Sequence, residues 1–489
     1  MVGPLKKLGL ILLGALLGFA LTLNFSAVAD KAATPAGSPL PIEDLRVFSE
    51  IFGRIKSDYV EPVDDHKLIK EAITGMVAGL DPHSAYLDQE AYKELQDGTQ
   101  GEFGGLGIEV TMEDGLVKVV TPIDDTPASK AGIKSGDYII KLDDAAIKGM
   151  TLNDAVKRMR GKPDTPITLT ILRKNEPKPL VITLKRAIIK MKSVKLKELD
   201  PGYGEIRISQ FQEHTGEDLA NAVEQFYKDN KDQPKGLILD LRNNPGGLLN
   251  SAVGVAGVFL PPESLVVYTE GRVADAKMHL TVTPENYLRD ASEKDYLLDL
   301  PKGIKKLPLV VLVNGGSASA SEIVAGALQD HHRALILGTR TFGKGSVQTI
   351  LPLSGNTALK LTTARYFTPN GRSIQAKGIE PDKVMADDAD AVEATLGIHE
   401  SDLTGHLSNP TDGTKPGDAA VKPVESGAPT ALPETPAATP AVDQKPVATP
   451  ASDKAGKPVH KPGAKGDELP DPQLDAARAY LKQEVAKPH

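Results

Sequence analysis

The chain has 489 residues, a formal net charge of −8, 40% apolar and 25% charged residues, and no cysteine. That length carries two to four domains at roughly 150 residues each. The missing cysteines exclude disulfides, thiolate catalysis and Cys-based zinc or iron–sulfur sites, and the acidic balance argues against a nucleic-acid binder, which would carry a basic excess.

Lys6 and Lys7 precede an uncharged apolar run from Leu8 to Leu23. Ala27-Val28-Ala29 then supplies a small-x-small pattern suited to cleavage after Ala29. Residues 1–29 are expected to be a signal peptide. The alternative is an uncleaved anchor, for which the run is short against the ~20 residues that span a bilayer. Either way the rest of the chain is expected outside the cytoplasm, in the periplasm or on the envelope. Residues 30–42 are a small, proline-rich linker. Residues 43–97 read as helices, with Leu45, Phe48, Ile51, Phe52 and Ile55 and then Leu68, Ile69, Ile73, Met76 and Val77 at helical spacing. Asp81-Pro82-His83-Ser84 breaks that pattern.

Residues 98–190 form a β-rich module: a glycine-rich opening, strands near 116–120, 138–142, 167–172 and 180–184, and a helix over Thr151–Arg160. Residues 191–395 alternate buried strands (236–242, 309–314, 334–338) with helices (248–259, 319–330). Such alternation predicts an α/β domain whose sheet is covered on both faces. Residues 396–468 are Pro, Ala, Thr, Lys and Gly with almost no large apolar side chains, so this stretch is expected to be disordered. Residues 469–489 hold one short amphipathic helix, marginal in water unless it docks.

The segment NGGSASASEIVAGALQD at 314–330 puts two glycines and three alternating serines where a buried strand becomes a helix. A nucleophile there would face the first free N–H groups of the helix. A simple N-cap would explain the serines equally well. The candidate base is Lys344 in TRTFGKGSVQ, which reads alternatively as a solvated loop lysine. A lysine titrates near 10.4 and is a base at neutral pH only if burial without a carboxylate lowers that value. Gln348 could hold the amine without adding charge. His331 and His332 are alternative bases. A P-loop over Gly338–Gly345 is excluded because Gly345 stands where the metal-binding Ser or Thr should follow the lysine.

KGLILDLRNNPGG, LVNGGSASASEIVAGALQD, GTRTFGKGSVQ, YFTPNGRSIQAKGIEPD and LDPHSAYL together resemble the carboxyl-terminal processing (tail-specific) proteases. The resemblance runs from about 44 to 385, and DPQLDAARAYLK resembles the family's C-terminal helix. It implies a crotonase/Clp-protease-like α/β catalytic core with an inserted PDZ domain, a helical N-terminal region and, here, a disordered Pro/Ala-rich tail that leaves the role of the last helix open. It implies Ser319 as nucleophile, Lys344 as base, Gln348 assisting, and Ala320 with Gly246 or Gly247 as oxyanion donors. Ser317, Ser321 and Asp330 are structural on this reading. GGLGIEV resembles the PDZ carboxylate loop, with Gly105, Leu106, Gly107 and Ile108 cradling a peptide C-terminus and Leu152 and Val156 completing the side-chain pocket. DTPASKAGIKSGDYIIKLDD resembles the middle of a PDZ domain. Arg160 matches a position that senses bound peptide and contacts the catalytic domain. No cofactor or metal is implied. The expected partners are protein substrates with free C-termini, an adaptor protein and further copies of the chain, joined through helices from both ends. The rival readings are a catalytically dead PDZ scaffold and a Ser–His hydrolase.

Overall fold

The structure, a computed structural model, describes residues 41–174, 176–290, 292–385, 398–411 and 471–486. The expected signal peptide, residues 30–40 of the linker and residues 412–468 of the Pro/Ala tail lie outside them. The chain divides into one unit over 1–73 and another over 74–489. In the first, helix Ile42–Asp58 sets Ile42, Leu45, Phe48 and Ile51 on one stripe at helical spacing. None of its residues is buried. Among the described residues no helix is long and apolar enough to cross a membrane.

In the second unit, Asp81 makes the turn expected of a Pro-interrupted helix end: its Oδ1 accepts the N–H groups of His83 and Ser84, both at 2.9 Å. β1 (Ala85–Leu87) and helix Gln89–Gln100 follow, the helix stopped by Gly101 at φ 74°. The β-rich module then comprises β2 (Glu102–Gly105), β3 (Ile108–Glu113), β4 (Leu116–Pro122), β5 (Tyr138–Leu142), β6 (Ala145–Ala146), β7 (Pro166–Leu172), β8 (Leu180–Lys185) and β9 (Ala187–Lys190). β3 is an edge of the sheet β3-β4-β5-β7-β8, and β2 pairs with β9 as a ribbon where the chain enters and leaves. Helix Leu152–Met159 starts at a Thr151/Asp154 capping box. Its Ala155 and Met159 join Val117, Val119, Ile139 and Leu169 in a core of the module's own.

The remaining body is the expected α/β domain. β10 (Val194–Asp200) runs antiparallel to β11 (Tyr203–Ile208). β11, β12 (Gly236–Asp240), β15 (Leu309–Val313), β16 (Leu335–Gly338) and β19 (Lys383–Val384) are parallel neighbours in that order. Every residue of β12 and β15 is buried, hence the unbroken apolar runs 237–239 and Leu309–Val313, with β12 ending on the buried Asp240. Alternate side chains serve two layers. Leu237, Leu239, Val311 and Val313 meet helices Thr215–Asp229, Leu249–Phe259 and Ala320–Asp330, whereas Ile238, Val310 and Leu312 face the other way. A second sheet holds β1, β13 (Leu265–Gly271), β14 (His279–Thr281), β17 (Ser346–Leu353) and β18 (Thr357–Phe367).

The C-terminal helix, whose role the resemblance left open, docks on its own chain: Ala477 and Leu481 of Pro472–Val485 are fully buried against Tyr203, Ile238, Val310, Leu312 and Leu337. A Cβ on Gly236 would come within 3.1 Å of Leu481, so that glycine makes room for it. One expectation is corrected: the assigned tail begins too early. Residues 398–411 pack on the catalytic domain, with Glu400 wholly buried between His83 Nε2 and Gln375 Nε2, each 2.8 Å away. Polar contacts rather than apolar burial hold this segment, so its composition gave no sign of it.

Candidate active site

β15 and β12 end side by side, and the loops leaving them build the site, as is usual at the carboxyl ends of parallel strands. After β15, Ser317 donates to Leu241 O at 2.8 Å and accepts from Asn314 N at 3.0 Å. Ser321 donates to Asn244 O at 2.9 Å, and Ala318 N reaches the same carbonyl at 3.0 Å. Ser317 and Ser321 are therefore the structural serines they were expected to be. Ser319 sits between them at φ 55°, ψ −113°, left-handed backbone for a side chain that rarely adopts it. This is a sharp strand-to-helix elbow. Ala320 begins the helix, so its N–H belongs to the first turn, which has no intrahelical acceptor.

The turn after β12 lies against that elbow. A Cβ on Gly246 would meet Ala320 N and Ser319 Cβ, both at 2.8 Å, and Gly246 holds φ 94°. Only glycine fits there. The Gly246 N–H is committed to Asn244 Oδ1 at 2.9 Å. The Gly247 N–H has no acceptor among the described residues, with Gly247 bridged to Phe211 through its neighbours.

Lys344 arrives from the loop after β16. Burial lowers its pKa from 10.5 to about 8; Lys360 adds to the effect, while the charges of Glu400, Glu322 and Asp81 oppose it. Among the described residues its ammonium forms no ion pair, as a basic lysine requires. What brings loop and elbow together is Glu322, in the first turn of the helix that Ala320 begins. Its carboxylate is wholly buried and takes Ser319 N at 2.8 Å, Lys344 N at 3.0 Å, Gly343 N at 2.7 Å and Thr341 Oγ1 at 2.5 Å. Burial raises its pKa to about 7 against those four hydrogen bonds. The Ser-x-x-Glu spacing of a capping box was the available signal. Tyr366, on β18, had none: its buried hydroxyl donates to Lys344 O. Ser319 Oγ and Lys344 Nζ are not bonded to each other here, which is common before substrate closes a site.

Gln348 lies on β17 and gives its amide N–H groups to Ser346 Oγ at 3.0 Å and Thr362 Oγ1 at 3.2 Å. Thr362 also donates to Asp81 at 3.0 Å, so the 81–84 turn braces this glutamine. His331 and His332 are brought nowhere near Ser319. They follow the far end of an 11-residue helix, about 16 Å away at 1.5 Å per residue, and are exposed. Asp330 accepts from Asn370 N at 2.8 Å and pairs with Arg372, a structural role as expected. Among the described residues no three His, Asp or Glu side chains cluster to hold a metal.

In the β-rich module, Leu106 and Gly107 turn their carbonyls inward to Ala128 N (3.0 Å) and Ile123 N (2.9 Å). Their own N–H groups have no acceptor among the described residues. Gly107, at φ 76°, lies where a Cβ would strike the Thr126 side chain at 2.3 Å. Gly105 pairs with Ala187 in the entry ribbon. Ile108, at the start of β3, and Leu152 and Val156 are only partly buried and pack against the module's core. The Arg160 guanidinium lies 4.8 Å over the Phe103 ring, in the β2–β9 ribbon.

Comparison with known proteins agrees with this anatomy. Residues 202–385 match the model of peptidase family S41, 104–184 that of PDZ domains, and 22–91 that of the activating protease CtpB N-terminal domain. A carboxy-terminal-processing protease of Bartonella bacilliformis is 50% identical over 388 residues, 78% of this chain and 85% of that one. A probable CtpA-like serine protease of Staphylococcus aureus is 39% identical over 69% of this chain and 64% of its own. The solved photosystem II D1 C-terminal processing protease is 32% identical over 69% of this chain and 86% of that one, with a TM-score of 0.39. With a PDZ module set before an S41 domain and half of the 388 aligned residues identical to such a relative, the chain belongs to the carboxy-terminal-processing proteases, serine-type peptidases of family S41.

Proposed function

We propose that this protease is exported and cuts protein substrates near their C-termini through a Ser319–Lys344 dyad under PDZ control. The observation that carries the dyad is a buried, unpaired Lys344 with its pKa at about 8, tied through Glu322 to the backbone of Ser319. Neutral Lys344 takes the Ser319 Oγ proton as Oγ attacks the scissile carbonyl. Ala320 and Gly247 N–H stabilise the oxyanion; Gly246, whose N–H is already given, supplies the close approach. The ammonium then protonates the leaving amine and an acyl-enzyme ester remains. Water, deprotonated by Lys344, releases the acyl product. Gln348 spends its N–H groups on Ser346 and Thr362 and keeps Oε1 for the ammonium.

A substrate C-terminus docks on the Leu106–Ile108 N–H groups and extends along β3. Arg160, against the ribbon that connects the module to the catalytic domain, relays occupancy. The uncovered apolar stripe of helix Ile42–Asp58 supports self-association, and an adaptor would act through the same non-catalytic elements. Ser319→Ala and Lys344→Arg should each abolish peptide hydrolysis with the fold intact, since arginine cannot be deprotonated. An active Lys344→Arg enzyme would refute the dyad. Amidating a substrate's C-terminus should slow the intact enzyme but not one lacking residues 98–190; equal slowing in both removes the PDZ module from control. Mass spectrometry of the mature N-terminus tests export, a start at Asp30 being expected.

A further inference from the structure

We infer that Asp471, at the start of the C-terminal helix, is a positioning residue for the oxyanion turn and acts through Arg242. The inference rests on the Ser319–Lys344 reading. Arg242 lies between β12 and the turn Asn243-Asn244-Pro245-Gly246-Gly247. Its side chain is 10% exposed. Its guanidinium makes two bidentate contacts: Nε and Nη2 on Asp240 at 3.0 and 2.9 Å, and Nη1 and Nη2 on Asp471 at 2.9 and 2.8 Å. Nη1 also reaches Gln473 Oε1 at 3.2 Å. Asp240, with a fully buried side chain, is shared with Arg207 Nη1 at 2.7 Å. Two guanidinium groups thus bond two carboxylates, with the buried Glu205 a third acidic group close enough to feel Asp240, Arg242 and Asp471. Without the Asp471 charge, Arg242, 10% exposed, keeps Asp240, which it shares with the half-exposed Arg207, and its Nη1 side keeps only Gln473 Oε1, so the guanidinium shifts to regain a partner.

Such movement has a short path to the reacting atoms. Asn243 N and Oδ1 are tied to the Asn314 side chain, both at 2.9 Å. The Asn244 side chain holds Ile208 O at 2.8 Å and Gly246 N at 2.9 Å, and its carbonyl takes Ala318 N and Ser321 Oγ. A displaced residue 242 therefore moves both walls of the oxyanion hole. The helix does not need this ion pair to stay docked, because Ala477 and Leu481 are buried on the sheet and Arg478 and Lys482 hold Asp200 at 2.9 and 2.8 Å. The charge at its N-terminus serves the catalytic edge instead.

Asp471→Asn in the full-length protein is the test, since asparagine keeps the helix cap now made to Leu474 N. Rates are taken per active site titrated with a serine-reactive reagent. We expect kcat to fall about 10- to 100-fold, as loss of oxyanion-hole alignment does, with KM within about twofold. Asp471→Glu should restore most of kcat. Leu481→Ala should lower the melting temperature and leave kcat per site unchanged. If the Asp471→Asn chain does not fold, Asp471→Ser, also cap-competent, carries the same test. Parental kcat in the asparagine variant, or an equal kcat loss in Leu481→Ala, overturns the inference. Ser319→Ala is run alongside: activity surviving there refutes the dyad itself, whereas a dead Ser319→Ala beside a normal Asp471→Asn refutes only the role of Asp471.

Discussion

Replacing Lys344 by methionine should stabilise the catalytic domain at neutral pH while abolishing its activity. Burial lowers the lysine from 10.5 to about 8, a difference of 10.5 − 8 = 2.5 pH units. At about 1.4 kcal/mol per unit this is about 3 kcal/mol of folding free energy lost to holding the ammonium out of water. The sign follows from proton binding. Between pH 8 and 10.5 the unfolded chain keeps a proton that the folded chain has released, so the parent's stability climbs with pH through that window. Below it both states are protonated and the folded protein carries the whole cost; above it neither does. Methionine has nearly the same length and no charge. Its advantage should be about 3 kcal/mol at pH 7 and shrink toward zero near pH 10.5. Urea unfolding of both proteins at pH 7, 8.5 and 10 measures it. A difference that stays flat with pH, or a methionine variant less stable at pH 7, would show that Lys344 is not held as an unpaired buried amine.

The same lysine should shape catalysis: kcat/KM on a short peptide should rise with pH through an apparent pKa near 8, and a profile flat between pH 6 and 9 would contradict it. Glu322→Gln places an amide N–H against the Gly343 N–H, with the Thr341 hydroxyl turning to accept, or against the Ser319 and Lys344 N–H groups, so it should cost at least about 1–3 kcal/mol for an unmatched buried donor and lower kcat; unchanged stability and rate would remove Glu322 as the tie between elbow and base loop. Gly246→Ala drives a methyl against Ala320 N and Ser319 Cβ and should abolish turnover, read as lost labelling by a serine reagent in a protein with a parental circular dichroism spectrum. Leu481→Ala should cost about 2–5 kcal/mol as a core truncation, measured by denaturation.

Much of this protein is legible in the linear chain because its strongest signals are local. LIL (237–239) and LVVLV (309–313) are apolar without a break, which happens when a parallel strand is covered on both faces, and their two strands are the centre of the sheet. Glycines 107 and 246 mark positions where side-chain-free backbone is obligatory, and both lie at the expected sites. The composition of 98–190 separates the PDZ module from its surroundings. What the chain alone could not decide depends on contacts between residues far apart in sequence. Glu322 looks like any helix-opening glutamate until folding brings the 341–344 loop onto it. Glu400 sits in a segment of linker-like composition, yet it is buried on His83, 317 positions away. The 472–485 helix has too little apolar surface to predict its partner. Only the second apolar row of the finished sheet, Ile238, Val310 and Leu312, which the helix covers, specifies where Leu481 goes. Periodicity along a chain reports which side of an element is buried; what it is buried against becomes defined only when the sheet has formed.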